Sequence, residues 1–247
     1  SIHRLETAFG GGKTHTLSGL SHLGFRGNEL AASVGHCFKT ELFDPADLAP
    51  PGAVQVVGVA GDELPVHKPH GTALVPYTLW GEIAHQLGGE ELYREVEAEA
   101  TSYAAPGKTF LESLFTGRRV ILLLDELAQY ATRFSAAHPD GADQLAAFIM
   151  SLNGFARSHS GLSVVITLAS QADAFAGQTE RLAKLLSEVR GEEVSEDDAA
   201  GMAEAAVASV SSVVARDATG VVPVQANELS RVLAQRLFDQ VDETAAR

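Results

Sequence analysis

Val120-Ile121-Leu122-Leu123-Leu124 is an unbroken apolar run that ends on two adjacent carboxylates, Asp125 and Glu126. A run of this kind suits a strand covered on both faces, as strands are in a parallel sheet flanked by helices. The two acids come where that strand should end, and open α/β sheets bind ligands outside the carboxyl ends of their strands. There the pair can divide labour, Asp125 orienting a divalent cation or its waters and Glu126 polarising an attacking water. The bland alternative is that both acids merely open the next helix, where negative charge suits the dipole.

Gly10-Gly11-Gly12-Lys13-Thr14 moves the balance toward a site. Phosphate needs several backbone N–H groups turned inward, and glycine lets the chain wrap that tightly. A helix directly after the loop adds its unsatisfied amides and partial positive charge. In such a loop Lys13 reaches the β- and γ-phosphates and Thr14 holds Mg²⁺ through its hydroxyl. His15 follows and is grouped with the binding residues. Ile2 to Glu6 read as the end of the first strand, and Thr16, Leu17, Leu20 and Leu23 carry helical spacing. In the usual G-x-x-x-x-G-K-[ST] pattern a glycine precedes the lysine by six positions; here Thr7 stands in that place.

Strand and helix signals alternate through the rest of the chain, which predicts an α/β fold: a P-loop core with a parallel sheet flanked by helices. Ala53 to Val59 reads as a buried strand, Gly61 to Pro76 as a long polar loop, and Leu79 to Leu87 and Glu91 to Tyr103 as helices parted by Gly88-Gly89. Leu162 to Ser170 is a further apolar strand with small polar residues at its end. There Ser170 or Thr167 can sense a γ-phosphate or position water, or can cap the next segment. Ser195 with Asp198 resembles a capping box opening a helix toward Val214. Residues 1–190 are expected to form the core and residues 191–247 a partial helical lid. The long separation of Lys13 from Asp125 requires an insertion or additional sheet elements around residues 30–108.

The formal charge is −14 with only 18 Lys and Arg. That balance opposes strong nucleic-acid binding by this segment, which needs clustered cations to displace counterions. Cys37 is the sole cysteine, so no internal disulfide forms, in keeping with a reducing cytoplasm. No stretch reaches the ~20 apolar residues that span a bilayer, and no signal peptide stands at the start. The opening lacks Met and falls inside a strand, as expected of a piece of a longer protein. His67 and His70 lack Cys or carboxylate partners at ligand spacing and read as a solvated loop. His36 and Cys37 invite reading as a nucleophilic pair, but residues adjacent on one chain rarely face each other productively. The acidic runs Glu90 to Glu99 and Glu192 to Asp198 read as solvated helix faces.

Longer phrases carry a resemblance. Glu6 to Leu17, Thr78 to Gly89, Ile121 to Tyr130 and Arg236-Leu237-Phe238 resemble a family of large prokaryotic ATPases of AAA+-like character. That family is catalogued mainly as a domain of unknown function, and its members often lie beside DNA-methyltransferase and helicase genes in phage-defence clusters. It shares the Thr7 departure. The resemblance implies ATP bound by Lys13 and Thr14, Mg²⁺ near Asp125, and a catalytic Glu126. It further implies a homo-oligomer in which a neighbour's arginine reaches the γ-phosphate, with Arg190 and Arg216 as candidates and Arg236 in the lid. Two other readings stay open: a nucleotide-gated scaffold with little hydrolysis, and a small-molecule phosphotransferase on the same core.

Overall fold

In the computed structural model of the chain, residues 1–5, 12–30, 47–167 and 179–222 are described. The apolar runs form strands β1 (Ile2–Leu5), β2 (Gln55–Ala60), β3 (Val120–Asp125) and β4 (Leu162–Thr167), and Thr219–Val221 adds a short β5. They make one five-stranded sheet in the order β2-β3-β4-β1-β5, with every adjacent pair parallel. The helices are α1 (Lys13–Arg26), α2 (Leu79–Glu95), the single turn α3 (Glu97–Ala100), α4 (Lys108–Phe115), α5 (Leu127–Ala137), α6 (Gly141–Ser158), α7 (Thr179–Arg190) and α8 (Glu196–Asp217). Among the described residues no helix is long and apolar enough to cross a membrane.

Alternation along the strands sorts their side chains between two cores. Val57 and Val59, Leu122 and Leu124, and Val164 and Ile166 join the larger core with Trp80, Ile83, Leu111, Tyr130, Phe134, Phe148 and Val210 of the helices. Leu5, Leu123 and Val165 face the other way and pack with Leu17 and Leu20 of α1. The β3 run is therefore buried on both faces, as its continuous hydrophobicity requires. Helix α7 joins α8 through a small cluster of its own around Leu182, Leu186 and Ala203.

Local chemistry fixes the helix ends. Thr78 caps α2 by accepting from the Gly81 amide at 2.9 Å, and its hydroxyl donates to the Ala100 carbonyl at 2.6 Å. Ser195 caps α8 through the Asp198 amide. Gly88 and Gly89 leave helical geometry and break α2 into two stretches. Residues 47–108 contribute β2 to the edge of the sheet and α2 to its large core. The outer side of β2 is stitched by Gln86, whose side chain accepts from the Gly58 amide at 3.0 Å and donates to the Gly58 carbonyl at 2.7 Å. Those bonds take up groups that an edge strand otherwise leaves open to pairing.

Gly24 sets how closely α1 lies on the sheet. A Cβ there would stand 2.4 Å from Val56 Cγ2 and 3.3 Å from Ile121 Cδ1. Gly24→Leu should therefore lift α1 and destabilise the chain by about 1–3 kcal/mol, the usual range for overpacking. A denaturant titration checks this, and an unchanged midpoint would show that α1 does not depend on that contact.

Candidate functional site

The strands end together at one edge of the sheet. Ala60 is paired with Asp125, Leu124 with Ile166, and Leu5 with Thr167. From this edge β1 sends the chain through α1 toward β2, whereas β4 sends it through α7 and α8 to β5 on the opposite side. Connections diverging from neighbouring strands leave a crevice at the carboxyl ends, the place where open α/β sheets hold ligands.

Asp125 is the hub of this edge. Its Oδ2 accepts from Thr14 Oγ1 at 3.0 Å, and its Oδ1 accepts from Thr167 Oγ1 at 2.5 Å. The first bond joins residues 111 apart in sequence and brings the start of α1 to the end of β3. Helix α1 is entered from Gly12 in the left-handed conformation, φ 79°, with no side-chain cap and no acidic residue in its first turn. Its first amides are thus placed for an anion. Lys13 is half-buried in that turn, and His15 is exposed on it. Beside Thr14 and Asp125 a cleft of about 310 Å³ opens between α1 and the β2–β3 end of the sheet, with Ser18, Ser21 and Gly58 also on its wall.

Glu126 follows in an unusual conformation. Among the described residues it is the one non-glycine with a positive φ, at 49°. Such a position costs roughly 1–3 kcal/mol and persists only when its surroundings over-determine it. Here they do. The Glu126 amide donates to Asp125 Oδ1 at 3.1 Å and to Thr167 Oγ1 at 3.2 Å. Its carbonyl accepts from the Gln129 and Tyr130 amides as α5 begins. Its carboxylate Oε2 accepts from Gln129 Nε2 at 3.1 Å. Glu126 therefore occupies the N-cap position of α5 and also presents a carboxylate at the strand end.

The structure thus brings Thr14, Asp125 and Glu126 to one edge, with Gly12, Lys13 and His15 at the entry to α1. Gly10, Gly11 and Ser170 lie outside the described residues, as do Thr7, His36, Cys37 and Arg236. Thr167, read from sequence as a sensor at the strand end, is 1% exposed, and its hydroxyl serves Asp125 and the Glu126 amide. Arg190 sits at the end of α7 in an ion pair with Glu192 at 3.0 Å, and Arg216 is exposed near the end of α8. Gln129 also contacts the Glu126 carboxylate, and Gly61 packs on the Asp125 and Glu126 carbonyls; only the spacing of Gln129 from Glu126, one helical turn, signals its contact in the sequence.

A hydroxyl and a carboxylate 3.0 Å apart are hard oxygen donors that suit Mg²⁺, an ion that takes one or two carboxylates and fills its remaining positions with waters and phosphate oxygens. Among the described residues no three His, Cys, Asp or Glu side chains gather as a metal-binding group. A cation held by Thr14 and Asp125 would have to fill its remaining positions with waters or with oxygens of a ligand.

The chain belongs to the family of the DUF499 N-terminal domain, whose profile matches residues 1–190. No curated protein and no solved structure matches it.

Thr167→Val keeps the shape of the side chain but leaves the Glu126 amide and Asp125 Oδ1 short of a partner. Losing one partner of a half-buried polar pair costs about 1–3 kcal/mol. Chemical denaturation should show that loss, and a neutral substitution would mean that Thr167 does not hold the carboxylate turn.

Proposed function

We propose that this chain is a Mg²⁺-dependent ATP-binding and ATP-hydrolysing P-loop domain of AAA+-like build, working in a DNA-related phage-defence assembly. The observation that carries the reading is the Thr14–Asp125 hydrogen bond at 3.0 Å. It joins the residue after the candidate phosphate-binding lysine to the first of the two carboxylates, which is the juxtaposition a nucleotide-bound metal requires. The crevice formed by the strand order, and the start of α1 behind a left-handed Gly12 with no side-chain cap, support the same site.

In this reading Lys13 and the first amides of α1 bind the phosphates of ATP. Thr14 and Asp125 would hold Mg²⁺, which when bound neutralises charge on the phosphate oxygens. Thr167 fixes the Asp125 carboxylate from behind. Glu126 orients the attacking water and takes its proton, with Gln129 holding one carboxylate oxygen. Release of phosphate to water separates this from a phosphotransferase, whose acceptor would have to be added. The defence setting, a homo-oligomeric state and partners such as a DNA methyltransferase or helicase rest on the sequence resemblance.

One alternative is favoured by a specific contact. The Gln129 bond engages the Glu126 carboxylate, which suits a nucleotide-gated scaffold that binds ATP with little turnover. Background phosphate release by the chain with its partners present would select that reading.

Glu126→Gln separates chemistry from binding. It should lower phosphate release by roughly 10²–10⁴-fold, the usual contribution of a positioned base, while Mg-ATP still binds. Turnover equal to the parent's would remove Glu126 from the reaction.

A further inference from the structure

Arg133 is a buried cation outside the set of residues assigned to the site. It lies on α5, is 9% exposed, and is pushed below the usual guanidinium pKa by burial. Among the described residues no carboxylate stands at ion-pair distance from it. Instead Nη2 donates to the backbone carbonyls of Gly61 and Leu64, the latter at 2.9 Å, and Nε is buried without a partner. Asp62 offsets part of that burial from beyond ion-pair distance. A guanidinium hydrogen-bonded only to neutral carbonyls is still costly to bury, and an apolar side chain of similar volume would fill the space at lower cost. The placement therefore asks for another reason.

The carbonyls that Arg133 holds belong to the turn that packs on the carboxylate pair. The Gly61 amide donates to the Asp125 carbonyl at 2.8 Å. A Cβ on Gly61 would stand 2.5 Å from the Glu126 carbonyl oxygen and 3.1 Å from that of Asp125. Gly61 is thus pressed between Arg133 and the two peptide groups that set the left-handed turn of Glu126. Just past the end of α5 the contact with this segment continues, where His138 Nε2 bonds the Val66 carbonyl at 2.8 Å. Glu126 and Arg133 are two turns apart on the same helix, so the circuit from Glu126 through α5, Arg133 and Gly61 back to Glu126 is closed.

We infer that Arg133 is a positioning residue for Glu126: through Gly61 it holds the Asp125-Glu126 turn so that the Glu126 carboxylate meets the water. The inference rests on the proposed hydrolytic role of Glu126, but the clamp itself can be read without turnover. Arg133 bonds to backbone carbonyls, and it acts through the backbone. Its loss should slow the chemical step and leave nucleotide affinity nearly unchanged.

The test uses Arg133→Met, Arg133→Lys and Gly61→Ala in the full chain. Amide hydrogen exchange without nucleotide is followed in peptides spanning residues 61–64 and 125–130, and phosphate release is measured against Mg-ATP concentration. In Arg133→Met both peptides should exchange at least about tenfold faster, and kcat should fall about ten- to a hundredfold with KM nearly constant, the scale of a misplaced catalytic group. Arg133→Lys, which keeps a donor for the carbonyls, should recover much of both. Gly61→Ala should copy Arg133→Met while leaving Arg133 in place, and it carries the test should Arg133→Met not fold. Unchanged exchange at residues 125–130 in a folded variant overturns the inference. So does an unchanged kcat beside an active parent, or a loss carried wholly by KM. A parent that releases no phosphate in a Lys13-dependent way defeats the proposed function instead, and the exchange data then decide the clamp alone.

Discussion

The carboxylate of Asp125 sits where three separate parts of the chain meet, and the arrangement of the site depends on how its two oxygens are shared. Oδ2 takes the hydroxyl at the start of α1, and Oδ1 takes the hydroxyl at the end of β4 and the amide of Glu126. Each partner comes from a different strand exit or the helix after it. A carboxylate accepting several hydrogen bonds in a partly buried place is worth more than the same bonds at the surface. It is held in one orientation, and through its neighbour's amide it fixes the turn from which α5 departs.

That turn explains why β3 must be so apolar. The strand is covered by α1 on one face and by the large helical core on the other, so it cannot shift register without moving the carboxylates. Leu122 and Leu124 anchor it on one side and Leu123 on the other, all nearly inaccessible. The unfavourable backbone angles of Glu126 are then borne by a well-packed frame. Arg133 and Gly61 brace the same turn from the side of β2. The geometry of this candidate site is set by backbone contacts at least as much as by the side chains that would touch a ligand.

Much of this was legible in the sequence because it is periodic or locally signalled. The apolar runs at Val120 and Leu162 became β3 and β4, the spacing after Thr14 became α1, and the Ser195–Asp198 box capped α8. The meeting of Thr14 with Asp125 followed from motif order. Other features had no local signal. That Thr167 is consumed by Asp125 depends on β4 lying beside β3, a matter of strand order. Arg133 reads as one more charge on a helix until the loop at Gly61 is seen to pack on it. The phrase Thr78 to Gly89 stood out by resemblance, yet its residues have structural work: Thr78 caps α2, Trp80 fills the core and bonds the Glu99 and Ser102 carbonyls, and Gln86 closes the sheet edge.

The central claim is that the start of α1 and the end of β3 form one nucleotide site. Calorimetric titration of Mg-ATP into the chain and into Lys13→Ala tests it most directly. The account predicts saturable one-to-one binding by the parent that depends on Mg²⁺, and its loss in the variant. Binding that survives Lys13→Ala, or no binding by the folded parent, would contradict it.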